Sequence, residues 1–211
     1  MNFIDTFLHI DTYLAGLTSD YGVYIYALLF LVIFLETGIV ATPFLPGDSL
    51  LFAAGAIAAS AGGLNIWILL AVIASASIIG DSVNYTIGSY LGARAFGDPN
   101  SQIFKKEYLD RAQEFYSKYG DRAVVLGRFF PIIRTFVPFV AGVSNMKYDK
   151  FVFFNITGGI LWTLVFCFGG YLFGNIQIVK DNFTAVIFGI IIISLLPGIY
   201  HLFANRLRIR E

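Results

Sequence analysis

The sequence predicts an all-α integral membrane protein with a single membrane domain over residues 1–211. Of these residues 57% are hydrophobic and only 13% are charged, whereas soluble domains carry about 25% charged residues. The apolar runs are long and lack strand-like alternation, which favours spanning helices over a membrane barrel. Prolines and charges interrupt some runs, which is typical of re-entrant segments that line a polar cavity. We therefore expect four transmembrane helices, two oppositely oriented re-entrant hairpins and interfacial amphipathic helices.

The first half, residues 1–92, is expected to begin at the membrane surface and then to span the membrane twice. Residues 2–19 place apolar side chains three and four positions apart, which predicts an interfacial amphipathic helix. Residues 21–41 and 65–91 are apolar over lengths that suit spanning helices, which need about 20 residues.

A first re-entrant hairpin is predicted between these spans, at residues 42–62. Pro43, Pro46 and Gly47 interrupt helical bonding at its start, because proline lacks a backbone donor. The apolar run that follows is too short to span the membrane before the next glycine pair. This segment is therefore expected to enter the membrane and return on the same side.

The second half follows a polar linker. Residues 93–122 are expected to form a cytoplasmic surface helix, since apolar side chains recur on one face. Residues 123–211 are expected to contain a second hairpin at 123–143 and spans at 151–174 and 183–204. The backbone positions expected to shape the second hairpin are Pro131, Pro138 and Gly142.

The distribution of lysine and arginine predicts the orientation, because cytoplasmic loops carry an excess of both. Basic residues cluster in the linker, at Lys147 and Lys150, and in the C-terminal tail. One topology places all three clusters in the cytoplasm. Both termini are then inside, the first hairpin enters from outside and the second enters from inside. The acidic N-terminus runs against this orientation.

An internal repeat supports opposite orientations of the two hairpins. The order proline, Ala-Gly, glycine, glycine occurs twice in the chain. The two sets are Pro43, Ala54-Gly55, Gly80 and Gly92, and Pro131, Ala141-Gly142, Gly159 and Gly174. A hairpin and a span used twice in opposite orientation is the plan of many secondary transporters.

Five charged residues fall inside apolar segments: Glu36, Asp48, Asp81, Arg128 and Arg134. A charge at the bilayer centre costs about 2.5 to 3.5 kcal/mol on insertion scales, so such residues are functional by default. The forked guanidinium groups of Arg128 and Arg134 suit a phosphate or a carboxylate. Glu36 and Asp48, removed from water, could bind protons near neutral pH. We therefore expect the arginines to bind substrate and the two acids to couple protons.

A structural ion-pair network that ties the hairpins together is the alternative for these charges. Asp48 follows a Pro-Gly turn and could instead cap the next helix. Asp81 lies close in sequence to Asn84 and Tyr85, which predicts a polar packing network that supports the site.

Several classes of function are disfavoured. His9 and His201 lie at opposite ends of the chain and Cys167 is the only cysteine, so neither a metal site nor a disulfide is expected. Nucleotide-binding and hydrolase motifs are absent from the sequence. The net charge is zero, so the chain lacks the excess of positive charge that is typical of nucleic-acid-binding proteins. Neither an enzymatic activity nor a cofactor is expected.

Five stretches of the chain resemble the DedA family, also described as the SNARE-associated or VTT-domain family. They are residues 34–38 (FLETG), 43–51 (PFLPGDSLL), 80–88 (GDSVNYTIG), 127–136 (GRFFPIIRTF) and 138–142 (PFVAG). The resemblance extends over nearly the whole chain and implies a bacterial inner-membrane protein with two re-entrant hairpins. It also implies that Glu36, Asp48, Arg128 and Arg134 occupy positions that are essential in some members.

The resemblance further implies a role in lipid transport. Bacterial members are implicated in recycling undecaprenyl phosphate, eukaryotic relatives in phospholipid scrambling, and some bacterial members in resistance that depends on the proton motive force. A flippase for undecaprenyl phosphate or a related anionic lipid is therefore expected, with membrane lipids and protons as partners. A proton-coupled transporter of small ions or solutes, a scramblase and a membrane-organising factor are the alternatives, and a homo-oligomer is left open.

Overall fold

A computed structural model describes residues 22–39, 47–59, 64–91, 106–183, 185–186 and 188–190. Helices dominate these residues, and no strand occurs among them. The interfacial helix predicted at 2–19, the prolines Pro43 and Pro46, and most of the span predicted at 183–204 lie outside the described residues.

The helices in the described part are short, except for two. In chain order they are α1 (Tyr24–Gly38), α2 (Gly47–Ala58), α3 (Ile66–Leu91), α4 (Lys106–Tyr119), α5 (Ala123–Gly127), α6 (Pro131–Arg134), α7 (Phe136–Val143), α8 (Tyr148–Thr163), α9 (Gly169–Phe173) and α10 (Gln177–Asp181). A 3-10 turn, Gly120–Arg122, connects α4 to α5. A π-helical turn, Leu164–Phe168, joins α8 to α9 as one continuous helix.

Two of the described helices are long and apolar enough to cross a membrane: α3 and the continuous helix Tyr148–Phe173. Each has 26 residues, or about 39 Å at 1.5 Å per residue, against a hydrocarbon core of about 30 Å. They confirm the long apolar helices predicted at 65–91 and 151–174. Large apolar side chains such as Trp67 and Phe153 are exposed on them, as expected of a surface that faces lipid.

The first hairpin is longer than predicted, because it includes α1. This helix does not have the length of a span. α1 has 15 residues and ends where Ile39 becomes extended, so it reaches only about 22 Å. The span predicted at 21–41 is therefore wrong in length. The backbone N–H of Asn65 donates to the hydroxyl of Tyr26 at 2.7 Å, so α3 starts beside the start of α1. The first hairpin thus contains α1 as well as α2, and α2 is the helix that the structure describes within the predicted segment 42–62.

The second hairpin comprises α5, α6 and α7, within the predicted range 123–143. Phe130 is extended immediately before Pro131, which begins α6, because the residue before a proline avoids the helical conformation. A Cβ on Gly127 would lie 2.9 Å from a methyl group of Val137. α5 and α7 therefore approach each other closely after the chain reverses.

α4 lies in the linker predicted at 93–122, and it has one polar, exposed face. Its apolar face packs against α7, where Ala112 is fully buried in a cluster with Phe136 and Phe139. Pro138 lies in the first turn of α7, where its missing N–H breaks no helical bond. α4 therefore supports the second hairpin as well as linking the two halves.

Each hairpin returns along the long helix of the other half. α2 packs on α9, where a Cβ on Gly170 would overlap the carbonyl oxygen of Phe52. α7 packs on α3 in the same way, since a Cβ on Gly88 would overlap the carbonyl oxygen of Phe139. Small residues at such contacts let helix backbones approach closely.

The hairpin helices carry matching glycines. A Cβ on Gly55 of α2 would overlap the carbonyl oxygen of Cys167, and a Cβ on Gly142 of α7 would overlap that of Tyr85. Both halves therefore make the same pair of backbone contacts, with a glycine on each side. The expected role of Gly142 as a backbone position agrees with this packing.

The two long helices run in opposite directions. The rings of Tyr148 and Tyr85 lie 5.5 Å apart between centroids, whereas Asn155, later in α8, donates at 2.9 Å to the carbonyl of Ile78, earlier in α3. The two long helices are therefore antiparallel, as the predicted inverted repeat requires.

The close helix contacts predict different outcomes for two neighbouring glycines. Gly170→Ala is expected to lower the free energy of unfolding by about 1–3 kcal/mol, because the new Cβ overlaps the carbonyl of Phe52. A Cβ on Gly169 meets no atom within 4 Å, so Gly169→Ala should be neutral or stabilise by up to about 1 kcal/mol. Thermal unfolding in detergent measures both. Gly88→Ala should behave like Gly170→Ala, and equal melting temperatures for the two neighbours would contradict the packing.

Candidate functional site

The five charged residues predicted from the sequence meet where the tips of the two hairpins come together. Glu36 lies in the last turn of α1, Asp48 in the first turn of α2, and Arg134 at the end of α6. Asp81 lies on α3, and Arg128 directly follows α5. None of the five is more than 6% exposed. Folding thus gathers all five charges in the protein interior.

Arg134 is shared by two carboxylates. Its Nη1 donates to Oδ1 of Asp48 at 2.7 Å, and its Nη2 donates to Oε1 of Glu36. The ring of Trp162 faces the guanidinium, with 5.5 Å between Cζ and the ring centroid. The indole Nε1–H donates to the same Asp48 oxygen at 2.9 Å. Arg134 is therefore enclosed by two acids and an aromatic face.

Local sequence explains why these groups fit together. Asp48 lies in the first turn of α2, where the unpaired backbone N–H groups of a helix favour negative charge. A Cβ on Gly47 would overlap the carboxylate of Glu36, and a Cβ on Gly80 would overlap the hydroxyl of Thr37. The two glycines therefore leave the space in which the end of α1 meets α2 and α3.

Arg128 forms a second cluster with Asp81 and Asn155. Its Nη2 lies 2.6 Å from Oδ2 of Asp81 and donates to Oδ1 of Asn155 at 2.5 Å. The amide of Asn155 donates in turn to the carbonyl of Ile78 at 2.9 Å and to the hydroxyl of Ser82 at 3.1 Å. Asn155 thus connects the arginine to the helix that carries Asp81.

A narrow cavity lies between the two clusters. Its walls are formed by Thr37, Asp81, Arg128, Arg134, Thr135 and Trp162. Its volume is only about 10 Å³, which is about the space that one water molecule needs. The closed site therefore has no room for a phosphate group.

The two halves of the chain contribute opposite charges to the site. Glu36, Asp48 and Asp81 belong to the first half, whereas Arg128 and Arg134 belong to the second. Every ion pair in the site therefore joins the two halves. Within the described ranges, no group of three acidic, histidine or cysteine side chains is placed to hold a metal ion.

Asn84 supports the site through the backbone. Its amide donates to the carbonyl of Thr37 at 3.1 Å and to the carbonyl of Thr135 at 2.6 Å. Thr37 lies near the end of α1, and Thr135 lies between α6 and α7. Asn84 therefore holds one segment from each hairpin beside α3.

The predicted packing network around Asp81 requires a correction. The hydroxyl of Tyr85 donates to the backbone carbonyl of Met146, and its ring stacks on Phe151 with 4.3 Å between centroids. Tyr85 therefore secures the start of α8, and its described contacts are with that segment and not with the charged groups. The described partner of Asp81 is Arg128 instead.

The sequence prediction omits Asn155 and Trp162, although each contacts charged groups of the site. Trp162 lies near the middle of a 26-residue helix, away from the interfaces where membrane tryptophans concentrate. Asn155 is an amide within an apolar helix, where polar side chains often bond between helices. Both features are readable in the sequence, but neither identifies the partner residue.

The buried pair of Arg128 and Asp81 predicts a large loss of stability when one partner is removed. Asp81→Asn leaves the charge of Arg128 with neutral partners only, so the free energy of unfolding should fall by about 3–5 kcal/mol. The matched control is Lys150→Ala, whose exposed ion pair with Asp121 has a distance of 3.2 Å and should contribute less than about 1 kcal/mol. Melting in detergent compares the two variants, and equal shifts would contradict a requirement for the buried pair.

Comparison with known proteins identifies the family of the chain. The VTT domain family model matches residues 45–172. Protein DedA of Escherichia coli strain K12 is 50% identical over 204 residues, which cover 96% of this chain and 93% of that protein. An uncharacterized membrane protein of Mycobacterium leprae is 40% identical over 168 residues, covering 80% and 75% of the two chains.

A more distant relative is also named as a membrane protein. Inner membrane protein YqjA of Escherichia coli strain K12 is 37% identical over 152 residues, covering 72% of this chain and 68% of that protein. No solved structure matches the chain. Because the family model covers more than half of the chain and the identity to Protein DedA extends over nearly all of it, the chain belongs to the DedA family of VTT-domain membrane proteins.

Proposed function

We propose that the protein is a flippase of the bacterial inner membrane that moves undecaprenyl phosphate or a related anionic lipid and is coupled to the proton motive force. The observation that carries the proposal is Arg134, a buried arginine shared by two carboxylates inside an apolar protein. Phosphate oxygens compete with carboxylates for the same guanidinium donors. In this mechanism the isoprenoid tail stays in the lipid while the head group passes between the hairpins.

Competition for Arg134 would couple the lipid to protons. When a phosphate binds Arg134, Glu36 and Asp48 lose the cation that neutralises them. Two uncompensated carboxylates in a buried site are costly, so proton uptake accompanies phosphate binding. Loss of the protons restores the ion pairs and expels the phosphate.

Transport requires the site to open, since the closed cavity is about the size of one water molecule. The pair of Arg134 with Asp48 joins α6 to α2, and phosphate and protons that replace it would let these two helices separate. The glycine contacts tie α2 to the helix α8–α9 and α7 to α3. We therefore expect two bodies that rock against each other, as in other inverted-repeat transporters.

A proton-coupled transporter of a small ion or solute is the second candidate. The small volume of the cavity favours it, because a small solute requires less opening than a lipid head group. Such a transporter would use Glu36 and Asp48 for protons and would move no lipid.

Reconstitution into proteoliposomes tests the proposal. Movement of undecaprenyl phosphate and of a common phospholipid would be compared with and without an imposed pH gradient. The proposal expects faster movement of undecaprenyl phosphate and acceleration by the gradient. Equal movement of both lipids would indicate a scramblase. A folded protein that moves neither lipid would contradict the flippase and direct the next experiment to ion flux.

Arg134→Lys is predicted to slow this transport by roughly 10- to 100-fold. A lysine ammonium lacks the planar fork that donates to two oxygens at once, and a hydrogen bond to a charged group is worth about 1.5–3 kcal/mol. Lys150→Ala removes the cation of an exposed pair and should transport at the wild-type rate. Transport by Arg134→Lys at the wild-type rate would indicate that Arg134 acts only as a structural charge.

Glu36→Gln is expected to abolish the acceleration by the pH gradient while passive lipid movement continues. Glutamine keeps a carbonyl acceptor for Arg134 but carries no titratable proton. Lipid movement with and without the gradient measures the effect. A charge-free control combines Glu36→Gln, Asp48→Asn and Arg134→Met, so that no buried charge is left unpaired. Gradient-driven transport by that control at the wild-type rate would show that the charges are structural.

A further inference from the structure

We propose that Trp162 is a positioning residue that makes the release of Arg134 depend on the protonation of Asp48. The inference rests on the proposed function, in which Arg134 must leave its carboxylates before it binds an anion. Trp162 contacts both members of this pair, with its N–H on Asp48 and its ring face on Arg134.

Packing holds Trp162 in place independently of the ion pair. The residue is 1% exposed, and it forms part of the cavity wall. Its ring meets Phe166 edge to face with 6.2 Å between centroids, and it belongs to the apolar core around α1, α2 and α3. A large aromatic side chain enclosed in this way has little freedom to reorient. The position of its N–H is therefore set by the helix and the core.

The indole offers two interactions, and both favour the closed ion pair. Its N–H is a donor only, so it stabilises the ionised form of Asp48 and offers no acceptor to a protonated carboxyl group. Its ring face attracts the guanidinium of Arg134. Protonation of Asp48 weakens the first interaction, and departure of Arg134 ends the second. Trp162 thereby influences the pH at which the pair opens.

Asp48 lies within a cluster of charged groups, and these groups act on its carboxyl group. The charged groups near it are Glu36 on α1, Arg134 on α6, Asp81 on α3 and Arg128 after α5. The described hydrogen bond of the indole reaches the cluster at Asp48. A change in pH dependence caused by removing the N–H therefore reports on that carboxyl group.

The first test needs no ligand, because the chain has two tryptophans. Trp67 is 71% exposed at the start of α3, so Trp67→Phe leaves Trp162 as the source of tryptophan fluorescence in the intact protein. Its emission should change as the pH falls, since protonation of Asp48 alters the acceptor of the indole N–H. Adding Asp48→Asn should abolish the change. A pH-independent emission, or the same change with Asp48→Asn, would overturn the inference.

The second test uses Trp162→Phe, which keeps an aromatic ring near Arg134 and removes the N–H donor. Calorimetry on the full-length protein in detergent would measure binding of farnesyl phosphate across the neutral pH range, with farnesol as the uncharged control. The upper pH limit of binding should rise by roughly one unit or more, because a lost hydrogen bond to a carboxylate favours its protonated form. Ionisation of the phosphate itself is the same for both proteins and cancels in the comparison.

The outcomes separate this inference from the proposed function. A higher pH limit with similar maximal affinity supports the positioning role of Trp162. Weaker binding at every pH with an unchanged limit would overturn it, since that result describes packing alone. If the wild type fails to bind farnesyl phosphate while the emission of Trp162 still follows Asp48, the proposed function fails and the coupling between the two residues stands. If Trp162→Phe does not fold, the fluorescence test decides.

Discussion

The pairing of Arg134 with Glu36 and Asp48 is the interaction on which the rest of the site depends. The three residues come from three helices, and all are buried. Leaving one of these charges without a partner would cost about 3–5 kcal/mol, so the hairpin tips cannot separate unless something replaces the pair. The pairing thus determines where the hairpins meet, and their meeting point determines the position and the size of the cavity.

Backbone packing provides the frame that makes this pairing possible. Gly88 and Gly170 let the returning helix of each hairpin contact the long helix of the opposite half. Each half therefore holds the hairpin of the other, and the two tips are kept close together. The frame is symmetric, but the charges are not, because the acids come from one half and the arginines from the other. The electrostatic energy of the site consequently depends on how the halves are placed relative to each other.

The interactions that close the site are also those that an anionic ligand needs. Buried ion pairs are weak evidence for stability in general, but here each one bridges the two halves and surrounds a cavity. In the proposed mechanism, a head group that takes Arg134 would be accompanied by protons on the released carboxylates, so stability of the closed state and binding of the ligand would oppose each other. Trp162 and Asn155 strengthen the closed state, because they hold Asp48 and Arg128. A transport cycle would have to break these contacts together with the ion pairs.

The sequence predicts the class of protein, the two long helices and the five charges within apolar segments, because hydrophobicity and the length of an apolar run are local properties of the chain. It did not determine where α1 ends, since the apolar pattern continues beyond Gly38 while the helix does not. Nor did it assign partners, because Glu36 and Arg134 lie 98 positions apart, and Asp48 and Trp162 lie 114 positions apart. These features depend on tertiary packing, since such contacts exist only after each hairpin has packed on the long helix of the other half.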